Sequence, residues 1–522
     1  MPASATDQNN KSSLDLHVFV PSFLLVSAAS LALILNPETA TIFALEAMNA
    51  VTGYWGWLYM LIGTAAAVFC GWLAFGRYGK IVLGDPHETP EYADMHWVAM
   101  MFTAGIGAGL VQWGFAECIY YMTSPPYGLE PMSARAIEWA HMYPMFHWGI
   151  TPWAIYALPA VPVAYMLFVR KARFMRISTI CDAALPQRHR EAWKTVIDIF
   201  VVFAITGAIA TSLGLGVPLV SAFVAELFGV EDTVLTKVGV LLVWTAVFGT
   251  STWRGLKKGI KLLADINMVL AAIMILFVLL AGPTLLILKF STNSIGLLID
   301  NYFRMSFWMD PVLERGFPEA WTVFYWAWWL AYVPLMGLFY GRISRGRTIR
   351  QVIIGVIGWG TLGTWVYLAI AGGFTISLEI NGIYPVAESL AKTDLATTTA
   401  RIVAQLPFSE LTLALFTVLC IVFYATNLDS AAYVLASVCT RNLPNDEEPA
   451  RYHRMIWAFS LAVVAGGIAL SGSLETTKSA TVIVSLMMIP IVVLMCVSQV
   501  RWFHEDFDVS ISKVRLRRRE AE

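Results

Sequence analysis

Trp321-Thr-Val-Phe-Tyr325-Trp326-Ala-Trp328-Trp329-Leu-Ala-Tyr332-Val-Pro334-Leu-Met336 is uncharged and, with its flanks, forms an apolar run over 318–340. About 20 such residues suffice for one helical crossing of a bilayer. Tryptophans at the ends of such helices commonly sit at the membrane interface, which accounts for Trp321. Trp328, Trp329 and Tyr332 lie deeper. Trp329, Tyr332 and Met336 follow one another at three and four residues, so a helix places them on one face. Trp321, Tyr325 and Trp328 form a similar patch nearer the outer end. Stacked aromatic faces suit a cation without N–H donors, such as a quaternary ammonium. The ring quadrupole attracts such a cation by about 0.5–2 kcal/mol per ring.

The rest of the chain is of the same kind. Of its 522 residues 58% are apolar and 14% charged, with a mean hydropathy of +0.65, whereas a soluble domain carries about 25% charged residues. The net charge of -1 points to no nucleic-acid partner. Six scattered cysteines without a CxxC pair read as packing residues. The polar segment Met1–Asp15 has no basic n-region and no cleavage site. Twelve spans are predicted, at 16–35, 55–76, 96–122, 145–169, 195–226, 235–252, 262–289, 318–340, 350–373, 409–438, 453–472 and 478–500. An amphipathic interfacial helix is expected at 291–307 and a further short helix at 384–393. With the N-terminus inside, 27 of the 35 Lys and Arg residues fall on the inner side. The positive-inside rule therefore predicts both termini to be cytoplasmic, in a bacterial-type inner membrane. One transmembrane domain, 16–500, then lies between a tail at 1–15 and a basic tail at 501–522, whose Arg515–Arg519 suits anionic lipid.

Transport sites tend to form where helices in corresponding positions of two repeats are interrupted. The third span carries Gly105-Ile106-Gly107-Ala-Gly109 and the eighth carries Pro334 and Gly337. They are five spans apart, as expected for inverted repeats over about 96–289 and 318–500. Close packing of small residues explains the same glycines. The fourth span adds Phe146-His147-Trp148-Gly149-Ile-Thr-Pro152-Trp153-Ala-Ile-Tyr156, and the third ends in Glu117-Cys-Ile-Tyr120-Tyr121. Ionisable residues at membrane depth are functional candidates. Here Asp198, Asp265 and Arg342 are expected to pair or snorkel near inner ends, and Asp429 to brace an interrupted tenth span. Glu117 is read as a buried structural carboxyl rather than a proton carrier, and His147 as a packed helix residue.

At Gly316, Trp321–Trp329 and Gly341-Arg342-Ile-Ser-Arg345-Gly-Arg347-Thr348 the chain resembles the betaine/carnitine/choline transporter (BCCT) family, over about 16–500. The resemblance implies a leucine-transporter-like all-α fold with spans 3–7 and 8–12 as inverted repeats, and a homotrimer. The family's betaine carriers use aromatic cage residues that match Trp148, Trp153, Tyr156 and Trp329. Its carnitine/γ-butyrobetaine exchanger uses residues that match Tyr120, Trp148, Trp328, Tyr332 and Met336, with an outer site matching Trp321, Tyr325 and Trp328. Tyr332 makes the exchanger's cage the nearer of the two. Sodium-dependent members bind an ion at positions matching Thr103, Ile106, Thr426 and Asn427, beside the gating glycines Gly105, Gly107 and Gly109. The sodium-independent exchanger has an arginine where this chain has Asn267, and a methionine that matches Met336.

The resulting expectation is a secondary transporter for a methylated onium zwitterion such as carnitine, betaine or γ-butyrobetaine, coupled to sodium, with no cofactor beyond that ion. Exchange of substrate for product, proton-coupled carriage of choline or dimethylsulfoniopropionate, and a non-transporting membrane sensor are the alternatives. No P-loop argues for ATP as the driver, and no catalytic constellation argues for an enzyme.

Overall fold

The computed structural model describes residues 12–105, 109–254, 257–445, 447–471 and 474–508. Ile106, Gly107 and Arg515–Arg519 lie outside these, as do the side chains of Thr103 and Asp265. The fold is an all-α polytopic membrane architecture. Among the described residues its one sheet is a two-residue pairing of Ser13–Leu14 with Thr440–Arg441, antiparallel. Among the described residues nine helices are each long and apolar enough to cross a membrane, and they coincide with nine of the twelve expected spans. The other three spans are also helical. The third is Asp94–Gly105 with Gly109–Thr123, the sixth is Val234–Arg254 and the seventh is Lys257–Ala281. The interfacial helix starts earlier than expected, as Thr284–Phe307, and turns 109° from Ile266–Ala281. The short helix is Val386–Lys392, and a second one, Leu395–Ala404, follows it.

Both ends of the described chain meet the same loops. Asp15 pairs with Arg176 at 3.1 Å, and Arg176 also reaches Asp198 at 3.1 Å and the Thr440 carbonyl at 3.0 Å. At the other terminus Asp506 and Glu505 pair with Arg170 at 2.9 and 2.6 Å. The loop between spans 8 and 9 meets the stretch before span 3, where Arg345 binds Glu88 at 2.6 Å and Arg347 binds Asp94 at 2.8 Å, and that stretch reaches the 170–176 loop through Asp85 and Lys171 at 3.0 Å. Two chain ends on one side require an even number of crossings, in line with the twelve spans. The expected pairing of Asp198 is the Arg176 contact, reinforced by a hydrogen bond from Ser178 at 2.9 Å.

The eighth span is the axis of the bundle. In its most apolar window 94% of residues are buried, against 22% in Leu16–Leu35 at the periphery. Two glycines let it press on the fourth span. A Cβ at Gly337 would stand 2.7 Å from Pro159 Cβ, and one at Gly341 would stand 2.4 Å from Val163 Cγ1. Small residues allow such backbone approach between membrane helices.

Two expected interruptions are absent. The eighth span runs unbroken as Pro318–Val323, a wide π turn, into Phe324–Arg342, so Gly337 serves packing. The tenth is one helix, Ser409–Val438, passing through Thr426-Asn427. Asp429 braces no break there; it accepts a hydrogen bond from Thr252 Oγ1 at 2.7 Å. An unexpected interruption falls in the fourth span, between Ala134–His147 and Ile150–Ala164, at Trp148-Gly149. Freed backbone groups at membrane depth must find partners in neighbouring helices. The ninth span supplies them: Thr364 Oγ1 donates to the Trp148 carbonyl at 2.6 Å and Trp365 Nε1 to the Met145 carbonyl at 2.7 Å.

Candidate functional site

The break in the fourth span turns Trp148 toward the eighth. Its ring centre lies 5.6 Å from that of Trp329 and 6.1 Å from that of Trp328, both near perpendicular. Trp329 also meets Tyr156 at 4.4 Å and Trp153 at 5.7 Å. Three aromatic residues of the fourth span thus converge on one indole of the eighth. Trp148, Tyr156, Trp328, Trp329 and Tyr332 line a cavity of ≈ 40 Å³ together with Gly109, Ser212, Tyr424 and Asn427. That is room for about three waters at 10–15 Å³ each, so a bulkier guest requires the rings to part. Trp153 stands behind the cavity wall and does not line it.

The polar atoms around this cavity are of two kinds. Tyr332 OH lies 2.6 Å from Ser212 Oγ. Trp328 Nε1 and Tyr424 OH are buried donors with no partner among the described residues. Buried polar groups are nearly always satisfied, and an orphan calls for an explanation such as water or a ligand. Tyr424 and Ser212 were not singled out in the sequence. Tyr424 sits on the tenth span opposite Gly216, where a Cβ would come 2.3 Å from its ring.

Glu117 holds the cage from behind. It is completely buried and takes four contacts. Trp148 Nε1 donates to Oε2 at 3.0 Å and Tyr325 OH donates to the same oxygen at 2.7 Å. Tyr121 OH donates to Oε1 at 2.7 Å, and His147 Nδ1 stands 3.0 Å from it. His147 Nε2 lies 3.0 Å from Thr322 Oγ1 on the eighth span. The carboxylate therefore orients the caging indole, and the histidine is a member of that network. It is fully buried in its helix, as a packed residue is, and the hydrogen-bond partners of its ring among the described residues are protein side chains.

The outer patch divides. Tyr325 and Trp328 belong with Trp148, the former at 5.7 Å. Trp321 belongs with Tyr120 at 4.9 Å, Tyr121 at 5.0 Å and Trp113 at 5.9 Å. Tyr120 thus stands in the outer group and not on the cavity around Trp148. Met336 leaves the cage too; it lines a second cavity of ≈ 290 Å³ with Phe339, Arg342, Asp429 and Ser430. Asn427 lines both cavities and so lies at their junction.

Of the expected sodium ligands, Ile106 and the Thr103 side chain fall outside the described residues. Thr426 Oγ1 is engaged with the Phe423 carbonyl of its own helix at 2.8 Å. Gly105 closes one helix and Gly109 opens the next. Asn267 is buried, and both polar atoms of its amide lack a partner among the described residues.

The sequence model of the betaine/carnitine/choline family of transporters matches residues 17–508. The chain belongs to the BCCT family. A solved structure of a Na+-coupled sialic acid symporter, in a substrate-bound outward-open state, also aligns with this BCCT chain. The alignment covers 87% of this chain and 86% of the symporter, with TM-score 0.44 and 11% identity. Membership makes the protein a secondary transporter in a membrane, and the aromatic cluster of this BCCT transporter lies where its fourth and eighth spans cross.

Proposed function

We propose that this BCCT transporter carries a small quaternary-ammonium zwitterion of the betaine, carnitine or γ-butyrobetaine kind, by sodium-coupled alternating access. The observation that carries the reading is the convergence of Trp148, Trp153 and Tyr156 on Trp329 beside Trp328 Nε1 and Tyr424 OH. Ring faces attract the methylated cation without asking it for hydrogen bonds. The two unpartnered donors border the same cavity and suit a carboxylate, which favours a zwitterion over choline.

Sodium is favoured by Asn267, a buried neutral amide where a fixed positive charge would repel an ion, and by the oxygens of Thr426 and Asn427. Met336 matches the methionine that the sodium-independent exchanger keeps near a second ion site, and its thioether is a poor sodium ligand, so uptake should rise with sodium at a Hill coefficient near ~1. The proposed organisation has spans 3–7 and 8–12 as inverted halves and cytoplasmic tails at 1–15 and 501–522. The basic tail rests on anionic lipid, and the assembly is a homotrimer in an inner membrane. The test is uptake of labelled betaine and carnitine into proteoliposomes under a sodium gradient, repeated with potassium. Uptake that needs the sodium gradient supports symport. Equal uptake in both salts would leave substrate exchange or proton coupling. Counterflow without net binding differences separates transport from sensing.

A further inference from the structure

The aromatic patch around Trp321 already holds a cation, and the protein supplies it. Lys478, at the outer start of the twelfth span, places Nζ 4.6 Å from the Trp321 ring centre and 5.2 Å from that of Phe324. Its side chain is 2% exposed, and its carboxylate partner is Glu475 at 3.2 Å, whose own side chain is 47% exposed. Trp321 and Phe324 are themselves buried. We propose that Lys478 is a tethered occupant of the outer aromatic site, which an incoming methylated onium must displace to reach the cage. This inference rests on the cage reading above.

The chemistry makes the exchange feasible. An ammonium has three N–H donors and can be satisfied by a carboxylate and water. A quaternary ammonium has none and depends on ring faces. When an onium takes Trp321 and Phe324, the Lys478 ammonium retreats onto Glu475, which already reaches solvent. The rings keep one positive charge throughout, so the site is never left as a bare apolar patch, and two cations never share it. Cations too weakly drawn to aromatic rings do not dislodge Lys478, and the gate thereby adds selectivity at a point distinct from the cage.

The test uses the purified full-length chain and titrates its tryptophan fluorescence with glycine betaine and with tetramethylammonium. It is run in wild type and in Trp329→Leu, where the cage is weakened and the outer site dominates the signal. In the Trp329→Leu background, Lys478→Met should lower the half-saturating concentration of both ligands by about threefold to tenfold, while Lys478→Arg should not. Lys478→Gln repeats the measurement should Met destabilise the helix. Two results overturn the proposal. Loss of betaine binding with tetramethylammonium unchanged would make Lys478 a carboxylate anchor. No change for either ligand would make it a packing residue. Failure of the cage reading shows separately, as identical titrations of wild type and Trp329→Leu, and leaves the Lys478 comparison decisive for the outer site.

Discussion

At the scale of single residues the cage and its support make different demands. Trp329 touches three other rings, so Trp329→Leu keeps bulk but removes the quadrupole at the centre. Affinity for labelled betaine or carnitine should fall about tenfold or more; unchanged equilibrium binding removes the cage. Glu117 separates positioning from proton carriage. Glu117→Gln can turn its oxygen to Trp148 and Tyr325 and its NH2 to Tyr121 and His147. If Glu117 only positions, that variant should bind and transport nearly as wild type. Glu117→Met strands the two donors on Oε2, Trp148 Nε1 and Tyr325 OH, at about 1–3 kcal/mol each, while Tyr121 OH keeps His147 Nδ1 at 2.9 Å; it should lose affinity and thermal stability together. Transport abolished equally in both variants, with binding retained in Glu117→Gln, would make Glu117 a proton carrier.

Among the elements, the fourth span decides the site because its helix stops at Trp148-Gly149. A Cβ at Gly149 would stand 2.5 Å from the Met145 carbonyl oxygen and 2.8 Å from Trp365 Nε1, the two atoms whose hydrogen bond seals the break. Gly149→Ala must displace Trp365, and overpacking of this kind costs about 1–3 kcal/mol. The expected result is a lowered unfolding temperature together with weaker substrate binding. A variant with wild-type stability and affinity would show that the break tolerates a side chain and does not aim Trp148. The eighth span contributes the opposite property, an unbroken and almost wholly buried rod against which the fourth is registered by Gly337 and Gly341.

For the whole molecule the question is access. The cavity beneath the cage opens along Met336, Ser430 and Arg342, and Asn427 separates it from the cage. On the opposite side Trp321 and Lys478 are buried. Arg342 and Ser430, by contrast, are exposed. A cysteine at Ser430, which is exposed in the second cavity, should react with a membrane-impermeant thiol reagent from the Arg342 side. Substrate together with sodium should change that rate several-fold if the bundle alternates. A rate indifferent to both would point to a static binding protein.

Much of this was legible along the chain. Hydropathy is a local property, and lipid forces every backbone group into helices, so the membrane class and all twelve helical stretches follow from composition and order. The aromatic residues that meet between the fourth and eighth spans were partly legible too, because Trp148, Trp153 and Tyr156 cluster on one span and Trp328, Trp329 and Tyr332 on another, although Tyr120 and Met336 lie elsewhere. Where a span breaks was not. Glycine and proline permit a break anywhere they occur, but only a neighbour offering donors to the freed carbonyls decides which break persists. Thr364 and Trp365 do so for the fourth span, while the eighth and tenth remain continuous. Tyr424, Ser212 and the Lys478 ammonium likewise meet the aromatic residues across long stretches of sequence, on faces set by how the helices cross. Residue types and spans are therefore written in the one-dimensional order, whereas partners are fixed by packing, since satisfying a buried polar group depends on what another helix brings to it.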